Sequence, residues 1–223
     1  MNFFRILQEK TEAERKALFN VPIIRQSLAG QVTKESYIAF LTEAYHHVKH
    51  TVPLLMICGS RLPERYEWLR EAVAEYIKEE TGHQEWILND IAACDADKEK
   101  VRQGQPSSTT ELMVAYAYDT INRINPLGFF GMVQVLEGTS IALAINAAEA
   151  IQKSLKLPEQ AFSYLKSHGC LDIEHIAFFE SLMNRIENKA DQETILHSAK
   201  VFYKLYADIF RSLPAGANKK IAA

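Results

Sequence analysis

Residues 124–148 carry a single charged side chain, Glu137, in 25 positions. A run of that length is long enough to cross a bilayer as a helix. Its punctuation argues for another setting: Asn125, Pro126, Gln134 and Asn146 are spread along it, and Gly128, Gly131 and Gly138 interrupt it. A carboxylate at mid-membrane also costs on the order of 3 kcal/mol. The run reads as the buried helix of a soluble protein, with one carboxylate at its middle. Such a group must be neutralised, paired or bound to a cation. Arg123, the nearest basic residue upstream, is one solution. A metal ion is the other.

The rest of the chain has the same helical character. No stretch alternates β-branched and polar residues between Asn-Gly or Gly-Gly turns, whereas apolar residues recur at helical spacing throughout. The expected elements are a helix over 3–19, with Phe4, Leu7 and Leu18 facing inward, and a short element between Pro22 and Gly30. A long helix follows from an N-cap at Thr33, bending at Pro53, and another spans 64–94. Residues 95–108 form a polar loop. Helices over 110–123, 126–155, 158–188 and 191–213 complete the chain, and the small, basic segment 214–223 is expected to fray. The class is all-α, a single domain over residues 1–223 with seven or eight helices.

Charge and cysteine content narrow the function. With 25 Lys+Arg against 28 Asp+Glu the net charge is −3, which gives no electrostatic footprint for a phosphate backbone, so nucleic acid is excluded as the main partner. Cys58, Cys94 and Cys170 are too few and too scattered for a disulfide framework or a zinc knuckle. The segment Met1-Asn2-Phe3-Phe4-Arg5 lacks the basic-then-apolar run of a signal peptide. A reducing cytoplasm is the expected compartment, with no membrane partner.

Two short motifs join Glu137. In Glu80-Thr81-Gly82-His83 a carboxylate and an imidazole three residues apart share one helix face, although Glu-x-x-His by itself is common on solvated faces. In His168-Gly169-Cys170-Leu171-Asp172-Ile173-Glu174-His175 the positions 168, 172 and 175 form a narrow stripe at about 100° per residue. With Glu43 on the earlier helix, the order along the chain is carboxylate, Glu-x-x-His, carboxylate, Asp-x-x-His. That is the ligand order of di-iron and di-manganese carboxylate bundles. A mixture of carboxylate and imidazole suits iron or manganese, whereas structural zinc favours thiolates.

On these residues the chain resembles the haem-oxygenase-like superfamily, which includes TenA-like thiaminases and pyrroloquinoline quinone biosynthesis protein C. Within it the chain is most similar to the haem-oxygenase-like di-iron oxidases and oxygenases. Their pattern of Glu and His on one core helix, Glu on a second and His-x3-Asp-x2-His on a third is matched by Glu80, His83, Glu137, His168, Asp172 and His175. The resemblance implies a haem-oxygenase-like multi-helical bundle and a homodimer. It implies two Fe(II) ions, manganese being the alternative, with O2 as co-substrate and a small organic molecule as substrate. Glu43, His46 and His47 are then candidates for the cavity or for support of the ligands. Three other readings compete. A ferritin-like bundle would use Glu43 and leave His168 spare. A thiaminase or aminopyrimidine hydrolase would need a nucleophilic Cys on a core helix, and the helix of Glu137 has none. A quinone-biosynthesis oxidase would need no metal.

Overall fold

The computed structural model describes residues 2–214, the side chains of 168–175 excepted. Among the described residues every regular element is helical, and there are twelve α-helices. The excess over seven or eight arises because several periodic stretches break once. The stretch 3–19 divides at Thr11 into α1 (Phe3–Lys10) and α2 (Glu12–Phe19), where the Thr11 hydroxyl donates back to the Leu7 carbonyl at 2.7 Å. Leu7 and Leu18 are fully buried as expected, but Phe3 rather than Phe4 takes the third inward place. α3 (Pro22–Leu28) begins on its proline, and the chain leaves it through Gly30 at φ +63°. A Cβ at Gly30 would stand 2.9 Å from the Ala150 carbonyl oxygen.

Thr33 caps α4 (Lys34–Val48) by accepting from the Ser36 amide. The break that follows falls at Lys49 and His50, and Pro53 sits inside the first turn of α5 (Thr51–Arg61). A proline is tolerated there because its missing N–H would have had no helical partner. The stretch 64–94 holds a 3-10 turn (Glu64–Tyr66), α6 (Glu67–Glu80) and α7 (His83–Ala93). The polar tract 95–108 contains a short α8 (Lys98–Gln103), whose first amides are accepted by Asp97. α9 (Ser108–Asp119) runs into a π-helical turn (Thr120–Ile124). A 3-10 turn (Pro126–Gly128) then leads into α10 (Phe129–Leu155), the long apolar helix. Pro158 precedes a 3-10 turn (Glu159–Phe162) and α11 (Ser163–Asn184), which stops short of 188. α12 (Lys189–Ser212) is capped by Asn188. Of the tail expected to fray, residues 215–223 lie outside the described residues.

α10 is the centre of the molecule, with α11, α12 and α3 packed along it. By length and composition alone Pro126–Leu155 qualifies as a membrane span, but 56% of its most apolar window is buried inside the protein. Two glycines bring its first turns against α12. The Ser198 hydroxyl donates to the Gly128 carbonyl at 2.6 Å, and a Cβ on Gly131 would fall 2.5 Å from the Ala199 amide nitrogen. That close approach fixes the register of α10, and with it the position of Glu137 less than two turns further on.

Candidate metal centre and its cavity

Glu80 and His83 come together by a route that simple helical spacing does not provide. α6 ends at Glu80, Thr81 is extended, and Gly82 takes φ +97°, a left-handed conformation that α7 begins from. Only glycine adopts that conformation without strain. The chain thus restarts its helix at His83 with the ring turned back, Nδ1 lying 3.0 Å from Glu80 Oε2. Both side chains are nearly enclosed, 4% exposed for His83 and 12% for Glu80. The Trp86 ring, at 4.0 Å between centroids and tilted by 30°, covers the imidazole and holds its orientation.

Glu137 projects from α10 into the same enclosure. Its Oε2 is shut off from solvent, and Glu80 and Glu137 both line one cavity of about 160 Å³. They are the only charged residues on its described wall, which carries no Lys or Arg. The remaining lining is largely apolar, with polar groups that include His47, Tyr76, Tyr164 and the hydroxyls of Thr51, Thr139 and Ser140. Phe129, Met132 and Val133 are pocket walls, whereas Phe130 is turned away into the fully buried core. Burial pushes the phenols of Tyr37 and Tyr206 on this wall upward from their ordinary value, and Tyr37 donates to the Ala161 carbonyl at 2.7 Å.

The other sequence candidates separate. His47 lines the cavity. His46 is buried but is not on that wall; its Nδ1 lies 3.1 Å from Lys49 Nζ, and burial, then Lys49, lowers its pKa. Glu43 is also elsewhere. It accepts from the Ser107 amide and from the hydroxyls of Ser107 and Thr110, closing the N-terminus of α9. It is not on the cavity's described wall, and its oxygens are engaged by α9. The Arg123 considered as a partner for Glu137 instead pairs with Asp119, one turn back, at 2.7 Å. His168, Asp172 and His175 have side chains outside the described residues, and among the described residues no three donors converge. Tyr76 was missed by the sequence reading although a signal existed: it stands four residues before Glu80, on the same face of α6.

A family model described as that of an iron-containing redox enzyme matches residues 38–207. The chain belongs to that family. The match contains Glu80, His83 and Glu137 and all three candidates on α11. Known structures resemble this iron-containing redox family member over nearly its whole length. A domain of unknown function with a haem oxygenase-like fold from Shewanella denitrificans is 25% identical, with a TM-score of 0.82 over 94% of this chain and 90% of that one. The TenA homologue of P. horikoshii is 11% identical, with a TM-score of 0.78 over 94% and 97%. Haem oxygenase from Leptospira interrogans is 18% identical, with a TM-score of 0.72 over 96% and 100%. The fold is therefore haem oxygenase-like. No curated protein matches the chain.

The described residues suit iron of the kind carboxylates and imidazoles hold. Two carboxylates on the wall of one largely apolar cavity are oxygen donors of the kind a cation takes. An imidazole 3.0 Å from one of them adds the nitrogen donor that iron or manganese accepts alongside oxygen. Haem fits poorly by contrast. Its macrocycle is several times larger than a cavity of about 160 Å³ admits, and the described wall offers no cation to its propionates.

Proposed function

We propose that this member of the iron-containing redox family is a non-haem di-iron oxidase or oxygenase acting on a small organic substrate in the cytoplasm. Glu80, His83, Glu137, His168, Asp172 and His175 would hold the metal, two Fe(II) ions or manganese in their place. The observation that carries the reading is that Glu80, paired with His83, and Glu137 face one apolar cavity with no basic residue on its described wall. Iron bound there supplies the one-electron and O2 chemistry that no protein side chain performs. The chain's own part is positional. Gly82 turns His83 toward Glu80, Trp86 fixes the ring, and the α10–α12 contact sets the depth of Glu137. Phe129, Met132 and Val133 keep bulk water from the reacting face, which strengthens every electrostatic interaction inside.

The thiaminase-like alternative has less support. Its chemistry needs an activated thiol. Cys58 donates to the Pro126 carbonyl and its thiol is pushed up by burial to about 12; Cys94 is likewise pushed up to about 11. Neither lines the cavity, and the side chain of Cys170 lies outside the described residues. Inert, protonated thiols are what such environments produce.

The test is anaerobic reconstitution with Fe(II), metal analysis, and rapid mixing with O2. About two iron ions per chain and a transient visible absorption on mixing are expected. Iron far below that level, unchanged in His83→Ala and Glu137→Ala, would overturn the reading.

A further inference from the structure

The cavity is longer than a metal centre needs. Its lining follows one face of α10 from Phe129 to Ile151, roughly 33 Å of helix at the usual rise. Glu137 lies within this stripe, and about 21 Å of helix separates it from Ile151. Thr139 and Ser140 bring hydroxyls to the wall within a turn of Glu137; beyond them, along a second arm, the wall from α10 is Leu143, Ala144, Ala147 and Ile151, and the lining from α3 includes Ile23 and Ile24. The alanines stand where longer side chains would close the gap, so the space depends on them. Ser27, the polar residue of this part of α3, spends its hydroxyl on the Ile23 carbonyl at 2.8 Å. The arm therefore offers neither charge nor a spare hydroxyl from α3.

Resting on the di-iron reading, we infer that the arm between α3 and the C-terminal half of α10 takes an uncharged aliphatic portion of the substrate, and that Ala147 and Ile24 set the length admitted. A cavity of about 160 Å³ has room for on the order of ten water-sized groups, so a substrate of about ten non-hydrogen atoms fits. Apolar walls select such a tail because each methylene moved out of water is stabilised, and they reject hydroxylated chains of equal length because the wall leaves those hydroxyls unpaired.

The probe is a series of straight-chain 1-alkanols titrated calorimetrically into the full chain, metal-free and with Fe(II). Affinity should rise about fourfold per added methylene and level off near ten non-hydrogen atoms. Ala147→Phe should move that plateau to shorter chains and Ile24→Ala to longer ones. An affinity that does not depend on chain length overturns the inference, as does a polyol that binds as tightly as the alkanol of equal length. So does a plateau that neither substitution moves. Melting temperature and iron content of each variant show whether it folds and keeps its metal site. Chain-length dependence in a protein that binds no iron would leave the arm standing and remove the di-iron reading. Normal iron with a flat series would do the reverse.

Discussion

Asp191 meets the chain just before α10 begins, and Glu137 leaves α10 just over two turns after its start. Both are acidic groups drawn into the interior, but only Glu137 lines the cavity. Asp191, 3% exposed, accepts from the Tyr66 phenol at 2.6 Å, from Asn125 Nδ2 at 2.8 Å and from Arg65 at 3.2 Å. Its oxygens are saturated, and through Asn125 it pins the turn from which α10 starts. Asp90 is spent in the same manner, accepting from the Ser163 and Tyr164 amides at the beginning of α11. Glu137 and Glu80 instead face a cavity. A buried carboxylate whose oxygens are aimed at backbone amides and at phenol, guanidinium and amide side chains stabilises architecture. One that lines an enclosed space can also meet a ligand there.

The largest effect that separates the two kinds is loss of metal. Glu137→Ala should abolish stoichiometric iron binding and lower iron-dependent O2 consumption by at least about 100-fold, the upper end of what removing a mere supporting residue costs. The metal-free protein should keep its stability within about 1 kcal/mol, because the substitution takes a desolvated charge away. If Glu137→Ala unfolds the metal-free chain and leaves iron in place, the two carboxylates are the same kind and the contrast fails.

Asp191→Ala should do the opposite. It strands the Tyr66 hydroxyl and the Asn125 amide in a largely buried setting, at a cost of about 3 kcal/mol. For a chain of this size that lowers the melting temperature by roughly 6–12 °C, while iron per folded chain stays at the wild-type value. Calorimetry and metal analysis on one preparation read both.

The same residue gives a smaller effect through pH. Burial raises the Asp191 pKa, but hydrogen bonds from Tyr66, Asn125 and Arg65 outweigh it, and the net value falls below the ordinary 3.8. A carboxylate more acidic in the folded state stabilises the fold above its unfolded pKa, and that contribution is lost as pH falls through the folded value. Wild-type urea midpoints should therefore drop on acidification from about pH 5. Asp191→Asn, starting lower, should drop less over the same interval. Parallel curves would show that Asp191 carries no proton-linked stability.

What the sequence disclosed follows the range over which each feature acts. The all-helical class, the Thr33 cap, the proline start at Pro22 and the burial of α10 are all written within a few neighbouring residues, and each is present. The break at Thr81-Gly82 was missed because Glu80 and His83 share a face on an uninterrupted helix as well. Only the left-handed Gly82 shows that the pairing was reached differently. Asp90 and Asp191 carried no signal, since their partners lie 73 and 125 residues away in the chain. The contacts of Glu43 were not legible for a related reason: an acidic residue on an inward helix face looks the same whether it meets a metal or the amide of a distant cap.

Glu43 supplies the smallest and most discriminating of these effects. A ferritin-like arrangement would make it a metal ligand, and then Glu43→Gln should cost iron as severely as Glu137→Ala. The geometry places both of its oxygens within 3.2 Å of the Ser107 amide, where a carboxylate acts on the first turn of α9 as an N-terminal cap does. Glutamine keeps one acceptor oxygen but loses the charge that favours the helix N-terminus, so the expected cost is about 1 kcal/mol. That is a melting-temperature decrease of roughly 2–4 °C with iron stoichiometry and O2 reactivity unchanged. Equal iron in Glu43→Gln and wild type, beside none in Glu137→Ala, would separate the haem-oxygenase-like ligand set from the ferritin-like one on a single pair of carboxylates.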